Sequence, residues 1–115
     1  MFRFIRMASR EKKPPAYPQI DQLLHVYFGQ DYDIWGNTIE ELVGCYKRDS
    51  PIEFQKALLD DIARFRLVHP HDLDAAFLAA YEYDFDPPLW NHTTDSFLTE
   101  VDRLLRDPGT IASPE

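Results

Sequence analysis

Residues 50–65 have the sequence SPIEFQKALLDDIARF, and this stretch carries the clearest helix signal in the 115-residue chain. Ser50 is a favourable N-cap residue because its hydroxyl can accept a backbone N–H bond at a helix start. Pro51 suits the first helical position, and Glu53 completes a capping pattern. The stretch therefore predicts a helix that begins at the Ser-Pro pair.

Apolar side chains follow this start with the spacing of one helical face. The predicted inward residues are Phe54, Ala57, Leu58, Leu59, Ile62, Phe65 and Leu67. Asp60, Asp61 and Arg64 fall on the opposite side, so we expect them to face solvent. A helix with one wide apolar face needs other elements to cover it, which favours a packed multi-helix fold.

Four further segments show the same periodicity, and they comprise residues 19–28, 37–49, 71–81 and 94–106. Asn37 or Thr38, with Glu40, predicts a capping-box start for the second helix. His71 or Asp72 is expected to cap the fourth. The predicted core residues are Ile20, Leu23, Leu24, Tyr27 and Phe28, then Ile39, Leu42, Val43 and Tyr46, then Leu73, Ala76, Phe77, Ala80 and Tyr81, then Phe97, Leu98, Val101, Leu104 and Leu105. No segment alternates like a strand, so the prediction is an all-α, single-domain bundle of about five short helices.

Charge divides the chain into a basic start and an acidic body. Residues 1–15 hold five basic side chains and one acidic side chain, whereas residues 16–115 hold seven basic and nineteen acidic ones. We predict a basic flexible extension at 1–16, a helical domain at 17–107 and a flexible tail at 108–115. The acidic body repels nucleic acid and attracts basic partners. The alternative interpretation is that the acidity serves only solubility.

Sequence patterns for catalysis or metal binding are weak. His69 and His71 lie two residues apart, whereas a closed zinc site needs about four ligands. Cys45 lies among helical residues and is expected to pack as a small apolar group. Because the four glycines are scattered, no phosphate-binding loop is predicted either. The expectation is a protein that is not an enzyme and that binds no metal or cofactor.

The cellular compartment and the oligomeric state are predicted from sequence signals that are missing. A single cysteine cannot form an internal disulfide, which fits a reducing compartment. The N-terminus lacks the long apolar run of a secretory signal, and no apolar run is long enough to span a membrane. No long heptad pattern is visible. We therefore expect a cytoplasmic monomer without direct nucleic-acid or membrane binding.

Two segments combine aromatic and acidic residues, namely YFGQDYDIW at 27–35 and YEYDFDPPLW at 81–90. In so small a chain most aromatic side chains belong to the core, so a core position is predicted for Tyr27, Phe28, Trp35 and Trp90. The remaining positions suit a binding surface better, because they sit beside a proline loop and outside a helical stripe. They are Tyr83, Asp84 and Asp86.

The opening of the domain, YPQIDQLLHVYFGQDYDIWGNTIEELVGCY at residues 17–46, resembles small helical immunity proteins of bacterial contact-dependent growth inhibition (CDI) systems. The resemblance continues through the Ser-Pro helix, the double-proline loop and the closing FLTEVDRLL helix, and it covers residues 17–105. It implies an intracellular inhibitor without catalysis. Such a protein binds the C-terminal toxin domain of an exported effector in a one-to-one complex, and the toxin is expected to be a nuclease.

The resemblance also separates two sets of residues. The shared motif is expected to be structural, because the toxin-facing surface must vary with the toxin. That motif comprises Tyr27, Phe28, Gln30, Asp31, Asp33 and Trp35. The residues predicted to bind the toxin are Asp60, Asp61, Glu82, Tyr83, Asp84 and Asp86. Two other functions stay open at this point, an acidic helical adaptor for another basic protein and a small enzyme or regulator.

Overall fold

Each of the five predicted apolar stripes forms a helix in the computed structural model, which describes residues 16–110. The helices are α1 (Pro18–Gln22, continuing as the π-helix Leu23–Tyr27), α2 (Ile39–Asp49), α3 (Ile52–Val68), α4 (Leu73–Tyr81) and α5 (Thr94–Arg106). Short 3₁₀ turns, Tyr32–Ile34 and Pro87–Trp90, lie in the two long connections. The described residues contain no strand. The all-α, single-domain prediction is confirmed.

The core lies where all five helices meet. Helix α1 packs against α2 and α3, while α5 packs against α2, α3 and α4. Phe28, Phe77 and Phe97 are buried, and Phe97 has its ring centroid 5.5 Å from that of Phe28 and 6.1 Å from that of Phe77. Edge-to-face packing of this kind adds stability beyond the burial of apolar area. The predicted face of α5 is confirmed, because all five of its apolar residues are buried.

The prediction that Asp61 faces solvent on α3 is wrong. Asp61 is only 3% exposed, and its carboxylate accepts the backbone N–H groups of Gln19 (2.7 Å) and Ile20 (3.3 Å). Arg64 donates to the other carboxylate oxygen. The N-terminus of α1 has no side-chain cap of its own, since it follows Tyr17 and begins with Pro18. Asp61 therefore supplies the N-terminal cap of α1 from another helix.

Helix α3 differs from the prediction at both ends. Pro51 is the N-cap residue, with Ile52 as the first helical residue, and no side chain caps this end. Phe54 is 50% exposed and Leu67 is 79% exposed, so the predicted inward position is wrong for both residues. Helix α3 is the longest helix, with 17 residues, and these two side chains lie in its end turns. The neighbouring helices are shorter and leave those turns uncovered.

The start of α2 is confirmed at Thr38, but the capping partner is not Glu40. The Thr38 hydroxyl accepts the Glu41 N–H at 3.1 Å, and the Glu41 carboxylate accepts the Asn37 N–H at 2.7 Å. Gly36 makes this approach possible, because a Cβ there would lie 2.6 Å from the Cβ of Glu41. Glu40 is left exposed on the neighbouring position.

Helix α4 follows the prediction less closely than α2 or α5. Asp72 is its N-cap residue, but the carboxylate makes no capping bond and lies 3.2 Å from Nδ1 of His69. Phe77 and Tyr81 are buried as predicted, whereas Ala80 is exposed. Helix α4 packs mainly on α5, so only a narrow stripe of its surface is covered.

A buried lysine holds the C-terminal end of α5. Lys47 is 6% exposed, and its Nζ donates to the carbonyls of Leu104 (2.8 Å) and Asp107 (2.7 Å). Burial lowers the pKa of Lys47. Thr110 lies within the predicted tail and is also buried. Residues 1–15, most of the predicted extension, and residues 111–115 lie outside the described part of the chain.

Candidate partner-binding surface

The two acidic, aromatic segments of the sequence lie side by side in the structure. The Phe28 ring centroid is 5.1 Å from that of Phe85, and the Tyr32 centroid is 5.2 Å from that of Trp90. In each of these pairs the first ring comes from the segment after α1 and the second from the segment after α4. Edge-to-face aromatic contacts therefore join the two segments. The hydrophilic residues that alternate with the aromatic ones in each segment share one surface.

Trp35 fixes the loop that follows α1. Its indole Nε1 donates to the Val26 carbonyl at 3.0 Å, and its ring lies 4.9 Å from that of Tyr27. Tyr27 is buried, and its hydroxyl donates to the Asp49 carboxylate at 2.9 Å. Burial, with a further contribution from this hydrogen bond, raises the pKa of Tyr27 to about 12. These contacts tie the loop to α1 and to the end of α2.

Tyr27 should make the fold less stable at alkaline pH. Its pKa is raised in the folded state, so the unfolded chain loses this proton first and the free energy of unfolding falls as pH rises from 10 towards 12. Tyr27→Phe should lower stability at pH 7 by about 1 kcal/mol and make the alkaline decline shallower. Urea unfolding at several pH values measures both effects. An unchanged alkaline slope in the variant would contradict this role of the phenol.

An open groove of 340 Å³ separates the two segments. We call it the acidic groove. Its walls are His25, Val26, Gln30, Asp31, Ile34, Trp35, Tyr83 and Asp84. One wall comes from the end of α1 and the loop after it, and the other comes from the turn after α4. The groove therefore joins residues about fifty positions apart in sequence, through the aromatic contacts beneath it.

Two large hydrophobic side chains at the acidic groove are exposed to solvent. Tyr83 is 91% exposed and Ile34 is 71% exposed, although twenty other hydrophobic residues between positions 16 and 110 are buried. Glu82 beside Tyr83 raises the pKa of the phenol through a hydrogen bond. The His25 Nδ1 lies 3.5 Å from the Asp84 carboxylate. Exposed apolar side chains surrounded by polar residues are typical of protein interaction sites.

The structure brings together only part of the predicted toxin-binding set. Tyr83 and Asp84 line the acidic groove, and the exposed Glu82 adjoins them. Asp86 lines a different hollow, beside Pro87 and Pro88. Asp60 is exposed on α3, away from the groove lining. The buried Asp61 caps α1, and its carboxylate is occupied by groups of the same chain.

Only some residues of the predicted structural motif are buried. Tyr27 and Phe28 are core residues, and Trp35 is half-buried against them. The side chains of Gln30, Asp31 and Asp33 are exposed, so a structural role for these three stays a prediction.

Sequence reasoning missed Ile34 and His25 as members of the acidic groove. Ile34 is an apolar residue inside an acidic loop and outside every helical stripe. An apolar residue that no helical period requires is a usable signal for an exposed anchor. His25 carries no such signal, because only the packing of α1 against the turn after α4 brings it to Asp84.

Candidate groups for covalent catalysis or for metal binding are scarce among the described residues. Between residues 16 and 110, no three or more His, Cys, Asp or Glu side chains are grouped to hold a metal ion. Cys45 is buried, and burial raises the pKa of its thiol, which disfavours a reactive thiolate. Its Sγ donates to the Trp35 carbonyl at 3.3 Å.

In the described part, no helix has both the length and the apolar character that a bilayer crossing requires.

Comparison with known proteins identifies a family. The model of a family described as CdiI immunity protein matches residues 16–105, well over half of the chain. No match was found among curated proteins or among solved structures. The matched range includes all of α1 to α4, nearly all of α5 and both walls of the acidic groove.

Proposed function

The chain belongs to the CdiI immunity protein family, and from this premise we propose that it binds its cognate CDI toxin domain through the acidic groove. Membership of the family implies a protein that neutralises a CDI toxin. The proposed complex is one-to-one and forms in the cytoplasm, and the free protein is a monomer. The proposed mechanism is occlusion of the toxin's active site or of a surface next to it.

The exposure of Tyr83 is the observation that carries this assignment. A tyrosine that is 91% exposed contributes little to the fold, yet it stands beside the groove with Ile34 at 71% exposure. Tyrosine supplies a large, rigid contact area with a polar end, and it is enriched among the residues that dominate binding energy. Burial of these two side chains against a toxin would remove their apolar surface from water.

The charge of the groove suggests the class of toxin. Asp31 and Asp84 line the groove, and the exposed Asp33 and Glu82 lie beside these positions in the sequence. Carboxylates grouped in this way complement a cationic surface and speed association with it by long-range attraction. Nucleases need such cationic surfaces to hold phosphates. We therefore propose a nuclease as the toxin, with the acidic groove competing for its substrate-binding cleft.

The function is tested by pairing the chain with the toxin domain encoded immediately upstream of its gene. We expect that domain to stop growth when expressed alone, and we expect co-expression of this chain to restore growth. The two proteins should elute together in size-exclusion chromatography as a one-to-one complex. Lethality that persists in the presence of this chain, without complex formation, would reject the proposal and favour an acidic adaptor for another basic protein.

Charge reversal at the groove should slow toxin binding. The double variant Glu82→Lys, Asp84→Lys is expected to reduce the association rate constant about tenfold at low salt and to weaken its salt dependence, because it removes long-range attraction. Stopped-flow or surface plasmon resonance measures the rate. Circular dichroism checks that the helices remain.

The matched control carries the same change in charge on α3, with Glu53→Lys and Asp60→Lys, both at exposed positions. This variant should slow association much less, since only the groove is expected to face the toxin. Equal slowing by the two double variants would mean that net charge alone matters, and it would contradict the assignment of the groove.

A further inference from the structure

Ile34, on the wall of the acidic groove, has little packing of its own to hold it in place. The residue is 71% exposed, so contacts of its side chain fix its position only weakly. Its position depends instead on the backbone of residues 28–38, which join α1 to α2 and which we call the α1–α2 loop. A group that holds this backbone therefore also decides where the apolar anchor stands before a partner arrives.

Backbone hydrogen bonds shape the part of the α1–α2 loop that carries Ile34. This part is the 3₁₀ turn Tyr32–Ile34, and the Trp35 N–H closes it by donating to the Tyr32 carbonyl at 2.9 Å. The Tyr32 N–H donates in turn to the Gly29 carbonyl at 3.1 Å. These bonds stay within the loop, so they do not attach the turn to a helix. Attachment requires contacts with residues outside the loop.

Trp35 makes contacts of this kind with both neighbouring helices. Its indole Nε1 donates to the Val26 carbonyl at 3.0 Å, and its ring centroid lies 4.9 Å from that of Tyr27. Both partners belong to the last turn of α1, where the final carbonyls of a helix have no partner within the helix. On the other side, the Trp35 carbonyl accepts a hydrogen bond from Sγ of Cys45 in α2 at 3.3 Å. Trp35 thus connects α1, the α1–α2 loop and α2.

The bond between Trp35 and Val26 lies within the proposed binding site. Val26, Ile34 and Trp35 all line the acidic groove. The stretch of α1 that carries Val26 is the π-helix Leu23–Tyr27. Helical turns of this wide type are rare and frequently occur at functional sites. This feature supports a functional role for this wall of the groove independently of its charge.

We propose that Trp35 is a positioning residue of the toxin-binding site and acts on the toxin through Ile34. The indole N–H holds the α1–α2 loop against α1, so Ile34 already stands in its binding position in the free protein. Binding then costs less conformational entropy, because the loop has few other arrangements to give up. This inference rests on the proposed function, since the surface is the same acidic groove and the partner is the same toxin.

A double-mutant cycle with the toxin tests the action through Ile34. Trp35→Phe keeps a ring beside Tyr27 but removes the N–H donor, and it should weaken toxin binding about fivefold, which corresponds to about 1 kcal/mol. Ile34→Ala should weaken binding about tenfold. In the Ile34→Ala background, Trp35→Phe should cost less than about twofold, because the side chain that it positions is gone. An equal loss in both backgrounds would overturn the proposal, since a merely structural role does not depend on Ile34.

Trp90→Phe is the matched control, because it makes the same substitution at the other of the two tryptophans in the chain. Trp90 is also half-buried and its ring packs on Tyr32 and Phe85, but it does not line the acidic groove. This variant should leave toxin affinity within about twofold of the wild type. Equal losses in Trp35→Phe and Trp90→Phe would mean that any loosening of the aromatic packing weakens binding, and they would contradict a specific role of Trp35.

The positioning can also be measured without the toxin. ¹⁵N relaxation dispersion of the Asp33 and Ile34 amides reports exchange between loop arrangements on the microsecond-to-millisecond timescale. We expect flat profiles in the wild type and clear exchange in Trp35→Phe, with the helix amides unchanged in both proteins. Equal profiles in the two proteins would overturn the proposal, because the loop would then not depend on the indole bond.

These measurements separate the inference from the proposed function. Wild-type toxin affinity in Ile34→Ala would contradict the proposed binding surface itself. Weaker binding in Ile34→Ala but not in Trp35→Phe would overturn only the positioning role and leave the immunity function intact. A chain that binds no toxin at all would contradict the function, and the relaxation measurement would then still decide whether Trp35 positions Ile34.

Discussion

Replacing Asp61 by alanine should lower the free energy of unfolding by about 3 kcal/mol. The carboxylate is almost fully buried and accepts two backbone N–H groups of α1, those of Gln19 and Ile20. Its removal leaves both donors without a partner at a helix start that no local side chain caps. The loss also frees Arg64, which bonds to the same carboxylate. Urea unfolding followed by circular dichroism measures the change.

Asp60 provides a matched control for this prediction. It is the preceding residue on the same helix, with the same side chain, but it is exposed. Asp60→Ala should change the free energy of unfolding by less than about 0.5 kcal/mol. Asp61→Asn should fall between the two, because an amide oxygen still accepts an N–H bond but carries no charge. Similar losses in Asp60→Ala and Asp61→Ala would contradict the capping role of Asp61.

Replacing Tyr83 by alanine should weaken toxin binding about 30-fold, which corresponds to about 2 kcal/mol. Tyr83 is 91% exposed in the free chain, so the substitution removes almost no contact within the fold. Its whole effect should therefore appear in the complex. Because truncation of a packed anchor mainly shortens the lifetime of a complex, we expect a faster dissociation rate with little change in association.

Leu89 is the control for Tyr83. It is 80% exposed, also lies in the region after α4, and is absent from the lining of the acidic groove. Leu89→Ala should leave toxin affinity within about threefold of the wild type. Thermal unfolding should show that neither variant alters stability by more than about 0.5 kcal/mol. Wild-type affinity in Tyr83→Ala, with the fold intact, would remove the acidic groove from the interface.

Helix positions could be predicted from sequence because the period of the apolar residues and the caps are local signals. Helix α5 is the clearest case, since Thr93 caps it, its apolar face is buried throughout, and it ends where the sequence DPG begins. The errors concern burial at the limits of a helix. Phe54 and Leu67 fit the period of α3, but no neighbouring helix reaches them, and a sequence period carries no information on the length of a neighbour.

The candidate site was only partly predictable for the same reason. Tyr83 was identified because it lies outside a helical stripe, and that signal is local. Whether a carboxylate is free for a partner depends on what folds against it. Asp60 and Asp61 look alike in sequence. The Asp61 carboxylate, however, accepts backbone N–H groups at the start of α1, some forty residues away, and is therefore not free to bind a partner.

The sequence by itself determined the all-α class, the helix positions, the acidic charge and the family. Each of these depends on composition, on spacing within a few turns of chain, or on motifs along it. The tertiary structure alone decided which polar residues are free. It joined the segment after α1 to the turn after α4 and buried Asp61 at the start of α1. The physical reason is that burial and hydrogen-bond satisfaction arise between residues distant in sequence, which no local pattern encodes.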